Sequence, residues 1–504
     1  MVTATVALAA TAVVLVVVTG IGVWYTRGGQ TAEAYITARD SAGRGQTTAT
    51  LIASVMGVWI LLAPVEAGAA FGGIAAVAGY AVGEALPMVA YARLGPRIRA
   101  LLPAGHSLTE YALARYGAGM YGFVLVVSVF YMFIFLAAEL TGIATALELI
   151  AGVPRWQSAT LIAGFVLAYT AYGGLRASLV TDTVQTLVLL PTLLAVAVGA
   201  VIALGGTAAI HEAVVAADPS LLDPTFFTGL RFGFWVAIAI LGAELLNQSW
   251  WQRIYAARDA ETVRRGFTVA AVANAAVVFL AGLFGVLARG RLDLTVDPTS
   301  EAYDASVAFF LLANDAFPEW IAVCVVLVAV VLVTSSADTM FNALASLVTA
   351  DLSRLLADPS DRTLRVAARS LTVVVALAAV LVSLRARSVL GLFLLADLLG
   401  AAVMVPLFAG LYAERVGGGG ALAGGVAGIA FGVAYFPNRL VRGTLEAAGL
   451  GSLLPTPDFL VAFVGAVAAS TVVTGALVPF GGRFDLRRLD GAVRRLDDSG
   501  GEES

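Results

Sequence analysis

Polar residues repeat at helical spacing immediately after a long apolar run. The run covers residues 321–333, and the polar residues that follow are Ser335, Asp338, Thr339, Asn342 and Ser346. Spacings of three and four place all of them on one face of a helix. Because polar groups are costly among apolar helices, we expect this face to line water or an ion.

The adjacent hydroxyls of Ser335 and Ser336 suit a hard monovalent cation such as sodium. Such a cation prefers oxygen ligands, and freed backbone carbonyls of a broken helix can complete the set. The alternative is that each hydroxyl bonds a carbonyl of its own helical turn. The residue pattern leaves both interpretations open.

Backbone carbonyls become free where a helix is interrupted, and the sequence offers two places for this. The apolar segment 46–73 contains several helix-disturbing residues, namely Gly57, Pro64, Gly68, Gly72 and Gly73. The second place is the tetrapeptide Leu-Gly-Ala-Glu at 241–244. Two interrupted helices at matching positions of two halves indicate a transport site near the membrane midplane. Helices that cross at a glycine are an equally common explanation for either one alone.

Carboxylates inside apolar segments form a further set of candidates. They are Glu66, Glu84, Glu139, Asp182, Glu244, Asp338 and Asp397. An ionisable group at membrane depth is a functional candidate by default, because its burial costs several kcal/mol. Hydrogen bonding between helices, or a position near the membrane surface, is the alternative for any one of them.

These residues must be positioned by membrane helices. The chain has 504 residues, of which 60% are hydrophobic and 13% charged, whereas soluble domains carry roughly 25% charged residues. Apolar stretches of the roughly 20 residues that cross a bilayer recur along nearly the whole chain. We therefore expect an all-α polytopic protein in the lipid bilayer.

The composition also argues against enzyme chemistry. The chain has one cysteine, Cys324, and two histidines, His106 and His211, and it contains no HExxH, CxxC or phosphate-binding loop. Without such groups we expect no enzymatic activity, no metal other than sodium, no cofactor and no nucleic-acid partner.

Apolar runs and their Gly, Pro and charge punctuation predict about thirteen membrane spans. They fall at 3–25, 46–74, 76–94, 119–151, 156–173, 180–205, 229–251, 266–288, 319–350, 364–385, 389–411, 419–436 and 459–480.

Arginines in alternate connections predict the orientation, because positively charged loops stay cytoplasmic. They are Arg27, Arg39, Arg44, Arg93, Arg97, Arg99, Arg253, Arg258, Arg264 and Arg265. Connections 206–228 and 289–318 are acidic and fall on the other side. We expect a protein of the cell membrane with its N-terminus outside and its C-terminus in the cytoplasm.

Ordered motifs between residues 35 and 415 resemble the sodium:solute symporter family. They are AYITARDSAGRG (34–45) with IASVMGVW (52–59), TAYGGLRASLVTDTVQTLVLL (170–190), NQSWWQRIYAARD (247–259) and TSSADTMFNALASLVTADL (334–352). The resemblance implies a leucine-transporter-like fold with a five-plus-five inverted repeat. It divides the chain into an N-terminal helix and loop (1–45), two five-helix repeats (46–205 and 229–411), two further helices (412–480) and a cytoplasmic tail (481–504).

The resemblance also implies a sodium site. Its ligands are the carbonyls of Ala53, Met56 and Leu332 and the hydroxyls of Ser335 and Ser336. Ion coupling falls to Asp182, which matches an acidic residue of the family, and to Asp338. For Asp182 the alternative is a cap on the helix that follows Thr181.

On the solute side, we expect Gly57, Trp59, Ala243 and Glu244 to face a small organic molecule, with Glu66 and Glu139 in reserve. Val55 stands where proline transporters have aspartate, which argues against proline. Glu244 stands where sugar transporters place an aromatic gate, which argues against sugar. The sequence thus predicts sodium-coupled symport of a small organic solute. A proton-coupled transporter in which Asp182 or Asp338 titrates, and a membrane solute sensor, remain as alternatives.

Overall fold

A computed structural model describes residues 3–25, 36–298, 300–355 and 361–495, and its regular elements in those ranges are helices. The first half contains α1 (Ala4–Tyr25), α2 (Arg44–Val55), a 3-10 turn (Val58–Leu61), α3 (Ala63–Ala70), α4 (Gly73–Leu101), α5 (Leu108–Tyr116), α6 (Ala118–Ala151), α7 (Arg155–Ala203) and α8 (Gly206–Ala217). The second half contains α9 (Phe227–Leu245), α10 (Gln248–Ala256), α11 (Ala260–Arg291), α12 (Ala308–Ala316), α13 (Glu319–Leu355), α14 (Asp361–Ser383), α15 (Val389–Phe408), α16 (Gly418–Tyr435), α17 (Arg439–Ala447) and α18 (Phe459–Leu477).

The described residues contain ten helices long and apolar enough to cross a membrane, or eleven if the bent pair α2 and α3 counts as one span. The chain is therefore a multi-pass membrane protein, but the predicted count of thirteen is not confirmed. Two predicted spans account for the difference. The span at 156–173 merges into α7, and the apolar part of the one at 364–385 is only Arg369–Ser383.

Helix α7 corrects the expected connection between residues 173 and 180, because it continues without interruption from Arg155 to Ala203. At about 1.5 Å per residue its length exceeds the roughly 30 Å of the hydrocarbon core. A glycine pair weakens a helix by only about 1 kcal/mol per residue and does not by itself end it. The one proline inside the helix, Pro191, lies further along the chain.

Both expected helix interruptions are present, the second at a shifted position. Helices α2 and α3 enclose a bend of 55°. Helix α9 remains helical through 241–244 and ends at Leu245, and α10 begins at Gln248. The side chain of Asn247 caps α10 by accepting from the Ser249 backbone N–H at 3.0 Å. The start signal of α10, and not the glycine at 242, therefore sets the break.

Small residues pack α9 against α15. A side chain at Gly242 would overlap the backbone of Ala401, and a Cβ at Gly400 would lie 2.6 Å from the Ala243 Cα. Membrane helices use such positions to bring their backbones close together. This close packing brings Glu244, near the end of α9, and Asp397, in the middle of α15, into the same region.

We expect Gly242→Ala to lower the thermal stability of the purified protein. Alanine favours a helix by about 1 kcal/mol over glycine, but at this position its Cβ must push α15 away, and overpacking costs roughly 1–3 kcal/mol. The matched control is Gly164→Ala on α7, where nothing lies within 4 Å of the added atom. Unfolding midpoints in detergent should fall for the first variant and hold or rise for the second. Equal midpoints would contradict the packing described for Gly242.

Candidate functional site

Polar groups from other helices surround the break between α2 and α3. The Val58 backbone N–H donates to Glu139 Oε2 on α6 at 2.9 Å. Trp59 Nε1 donates back to the Val55 carbonyl at 2.7 Å. A Cβ at Gly57 would overlap the Glu139 carboxylate, so a larger residue there would displace that side chain from its bond to Val58. Glu139 therefore belongs to the support of the broken helix.

The two adjacent serines of α13 behave differently. Ser335 Oγ lies 3.3 Å from the Ala53 carbonyl near the end of α2 and 2.8 Å from Asp182 Oδ1 on α7. Ser336 Oγ lies 3.3 Å from the carbonyls of Leu332 and Val333, within its own helix. Ser335 thus reaches across to the break, whereas Ser336 adopts the local bonding that the sequence left open.

The remaining residues of the expected sodium set lie at the same junction. Met56 is the C-cap of α2, where the backbone leaves helical geometry with φ −75° and ψ 81°. Met56 and Leu332 line one apolar cavity of about 470 Å³. The structure therefore gathers the five residues where α2 meets α13. Their role as sodium ligands stays a prediction.

Asp182 takes part in a buried ion pair. Its Oδ2 lies 3.1 Å from Arg253 Nη2 on α10, and both side chains are 0% exposed. Thr50 Oγ1 donates to the same oxygen at 2.5 Å, and Arg253 Nη2 also donates to Thr339 Oγ1 at 3.0 Å. Because Asp182 lies inside the continuous helix α7, the alternative that it caps a helix start is wrong.

Arg253 is the functional residue that sequence reasoning missed. It was counted among the loop arginines, but it is buried on α10. A buried carboxylate needs a charge partner, and that requirement at Asp182 was the available signal.

Asp338 lies within electrostatic range of Arg253 and accepts from Asn342 Nδ2 at 2.8 Å. The structure thus joins Asp182 to Ser335 directly and places Asp338 within electrostatic range of the arginine.

A cavity of about 280 Å³ lies between α4, α6, α9, α15 and the 3-10 turn. Aromatic and acidic side chains dominate its lining, which consists of Trp59, Tyr80, Glu84, Tyr131, Phe135, Ile240, Ala243, Glu244, Phe393 and Asp397. Three of the residues expected on the solute side, Trp59, Ala243 and Glu244, therefore lie together. Gly57 is outside the lining and contacts Glu139 instead.

Glu244 is held firmly at the wall of this cavity. It accepts from the Tyr131 hydroxyl and from Trp250 Nε1, the latter at 2.7 Å. Asn247 Nδ2 donates to it at 3.1 Å. Glu66, a reserve candidate, lies elsewhere, where it accepts from the Tyr303 hydroxyl at 2.7 Å and from Ser388.

Long apolar helices and two interrupted helices with polar groups at the breaks are features typical of membrane transport proteins. The model of the sodium:solute symporter family matches residues 35–428, and the chain belongs to that family. The resemblance seen in the sequence motifs is thereby confirmed.

Individual relatives match this chain only at low sequence identity. A spermidine transporter of Candida albicans is 27% identical over 361 residues, 71% of this chain and 66% of that protein. The sodium/pantothenate symporter of Escherichia coli is 30% identical over 201 residues, 38% of this chain and 40% of that protein. The matched segments thus span less than two thirds of these curated relatives.

A solved structure of a Na⁺-coupled sialic acid symporter, in a substrate-bound outward-open state, shares the fold. The TM-score is 0.75 at 18% identity, and the match covers 95% of this chain and 98% of that one. At this identity the likeness concerns the fold alone.

We expect Arg253→Met to destabilise the protein strongly, because it leaves Asp182 as an uncompensated buried charge at a cost of roughly 3–5 kcal/mol. The double variant Asp182→Asn/Arg253→Met should recover much of the loss, since no charge remains. Arg264→Met, which removes an exposed arginine paired with Glu261, is the control and should leave the unfolding midpoint unchanged. A double variant no more stable than Arg253→Met would show that the two residues are not coupled.

Proposed function

We propose that this protein is a sodium-coupled symporter that carries a small organic solute across the cell membrane by alternating access. The observation that carries the proposal is the Ser335 hydroxyl, which lies between the Ala53 carbonyl and the Asp182 carboxylate. A hydroxyl, a backbone carbonyl and a nearby negative charge at a helix break suit a sodium ion.

In this proposal the carbonyls of Ala53, Met56 and Leu332 and the hydroxyls of Ser335 and Ser336 ligate the ion. A χ1 rotation releases Ser336 from its bond to Leu332 and turns its oxygen toward the ion. Asp182 adds negative charge beside the site without being a ligand, and Asp338 tunes it through Arg253. On sodium release, the Arg253 guanidinium remains as the partner of Asp182.

Coupling follows from the short distance along the chain between the two sites. Ala53 and Met56 belong to the sodium site, and Trp59, one 3-10 turn further on, lines the 280 Å³ cavity. An ion that fixes the break also fixes the position of the Trp59 ring. Sodium and solute therefore raise each other's affinity, as linkage requires. A membrane potential of 100 mV adds roughly 2.3 kcal/mol per sodium charge moved.

The same proposal assigns the architecture. Segments 46–205 and 229–411 are the inverted five-helix repeats of a leucine-transporter-like fold. In support, each of them opens on a broken helix, α2 with α3 and α9 with α10. An external N-terminus, accessory helices at 412–480 and a cytoplasmic tail at 481–504 complete the assignment.

The relatives leave the solute open. One is named for spermidine, which is a polyamine cation, and another for pantothenate, which is a carboxylate anion. Solutes of opposite charge occur within one family, so the charge of this protein's solute must be sought in its own cavity.

Purified protein reconstituted in liposomes should take up a labelled solute from a panel that includes spermidine and pantothenate only when sodium is outside. Ser335→Ala and Ser336→Ala should each reduce this sodium-driven uptake at least tenfold, because each removes one oxygen ligand. The control is Ser470→Ala on α18, a buried serine that bonds Val467 of its own helix. Ser470→Ala should behave as wild type.

A readout that needs no solute accompanies this test. Sodium, but not choline, should raise the unfolding midpoint of the wild type and of Ser470→Ala, because a bound ligand stabilises the folded state. Uptake that is indifferent to sodium and to both α13 substitutions would refute sodium coupling. If such uptake follows a pH gradient, proton coupling replaces it.

A further inference from the structure

Two carboxylates in the 280 Å³ cavity have no hydrogen-bond or ion-pair partner among the residues that the structure describes. Glu84 on α4 and Asp397 on α15 are 6% and 5% exposed, and both line the cavity. Among the described residues neither makes a hydrogen bond or an ion pair, in contrast to Glu244 with its three donors. Buried carboxylates are normally paired, so we expect these two to bind a group of a ligand.

The electrostatics of the cavity favour a cation. Glu84 and Asp397 lie within electrostatic range of each other and of Glu244, so burial and mutual repulsion oppose their ionisation unless a cation is bound between them. None of the residues described as lining the cavity is basic. The buried Arg253 pairs with Asp182 and is not part of the lining. An anionic solute would find acidic groups and no positive charge in this lining, which disfavours it.

The aromatic lining indicates an organic cation. The ring of Trp59 lies 6.3 Å from that of Tyr80 and 5.9 Å from that of Phe393. Phe135 lies 5.2 Å from Phe393 and extends this wall. Aromatic faces attract ammonium groups and pack against methylenes. A bare metal ion would use neither property.

The spacing of aromatic and acidic residues repeats on two helices. Tyr80 precedes Glu84 by four residues on α4, and Phe393 precedes Asp397 by four residues on α15. A separation of four places each ring and its carboxylate on one helix face, one turn apart. The cavity therefore offers two separate anionic positions, each beside a ring.

We propose that the cavity binds a linear aliphatic diamine or polyamine, with one ammonium group at Glu84, another at Asp397 and the methylene chain against the aromatic rings. This inference rests on the proposed function, in which the same cavity is the solute site. Glu244 contributes negative charge from a fixed position, while Glu84 and Asp397 accept hydrogen bonds from the solute. The two unpaired carboxylates thus require a solute with at least two ammonium groups.

Direct binding to the purified full-length protein tests this inference without transport. Labelled putrescine and spermidine should bind in sodium buffer, and unlabelled butylamine should compete at least tenfold less well than putrescine. Butylamine has the same carbon chain with one ammonium group fewer, so it isolates the second charge. Pantothenate should not compete.

Variants assign the two carboxylates. Glu84→Gln and Asp397→Asn should each weaken diamine binding about tenfold to a hundredfold, because each removes one charge-assisted hydrogen bond. The matched controls are Glu148→Gln, which removes a partly exposed carboxylate paired with Arg155, and Asp293→Asn at an exposed position. Both should bind as wild type. Monodisperse elution and the unfolding midpoint verify that every variant is folded.

Three results would overturn the inference. In the first, the folded wild-type protein binds neither putrescine nor spermidine. In the second, butylamine competes as well as putrescine does. In the third, the Glu84→Gln and Asp397→Asn variants both bind the diamine as tightly as the wild type. Sodium-driven uptake of a carboxylate solute with no amine binding would overturn the diamine assignment and leave symport intact. Amine binding and uptake indifferent to sodium and to Ser335→Ala would support the diamine assignment and refute the sodium coupling.

Discussion

The break between α2 and α3 is the constraint around which the neighbouring helices are arranged. A broken helix exposes backbone N–H and C=O groups, and within a bilayer no water is present to satisfy them. Side chains therefore do so: Glu139 accepts from Val58, and Trp59 donates to Val55. These bonds require α6 to lie against the break. They also explain why residue 57 has no side chain, since that space is filled by the Glu139 carboxylate.

The same constraint explains why the ion pair is buried. The C-terminal end of α2 carries the partial negative charge of its carbonyls, which favours a cation nearby. Asp182 adds a full negative charge at this place, and Arg253 balances it. Such a pair contributes little net stability, because desolvation offsets attraction, but it defines where each group lies. Ser335, bonded to one side of Asp182, is thereby held facing the break.

The sequence predicts features that depend on neighbours along the chain. Glycines and a proline predict an interruption within 46–73, and a three-four spacing predicts the polar face of α13. Contacts between helices that are far apart in the sequence cannot be predicted from such local patterns. Asp182 and Arg253 are 71 residues apart. The cavity combines Glu84 from the first half of the chain with Asp397 from the second half. All of these residues were visible as charges, but their grouping depends on how α4, α7, α10 and α15 pack. Helix α7 is also continuous where two spans were predicted, because a glycine pair permits a turn without requiring one.

A symporter that carries an organic dication with sodium must hold several positive charges close together, and the three carboxylates of the proposed solute cavity make this feasible. When ionised, they carry one negative charge more than the two ammonium groups neutralise. The remaining negative charge lies on Glu244, whose three hydrogen bonds keep it in place whether or not solute is bound. A loaded cavity then remains slightly negative and does not repel sodium at the break. In an empty cavity, burial and mutual repulsion oppose the ionisation of all three carboxylates. Solute entry supplies the positive charge that their ionised forms need, at the same time as it fills the space beside Trp59. The affinity of the solute and its effect on the broken helix thus have one physical origin, the unpaired charge at Glu84 and Asp397.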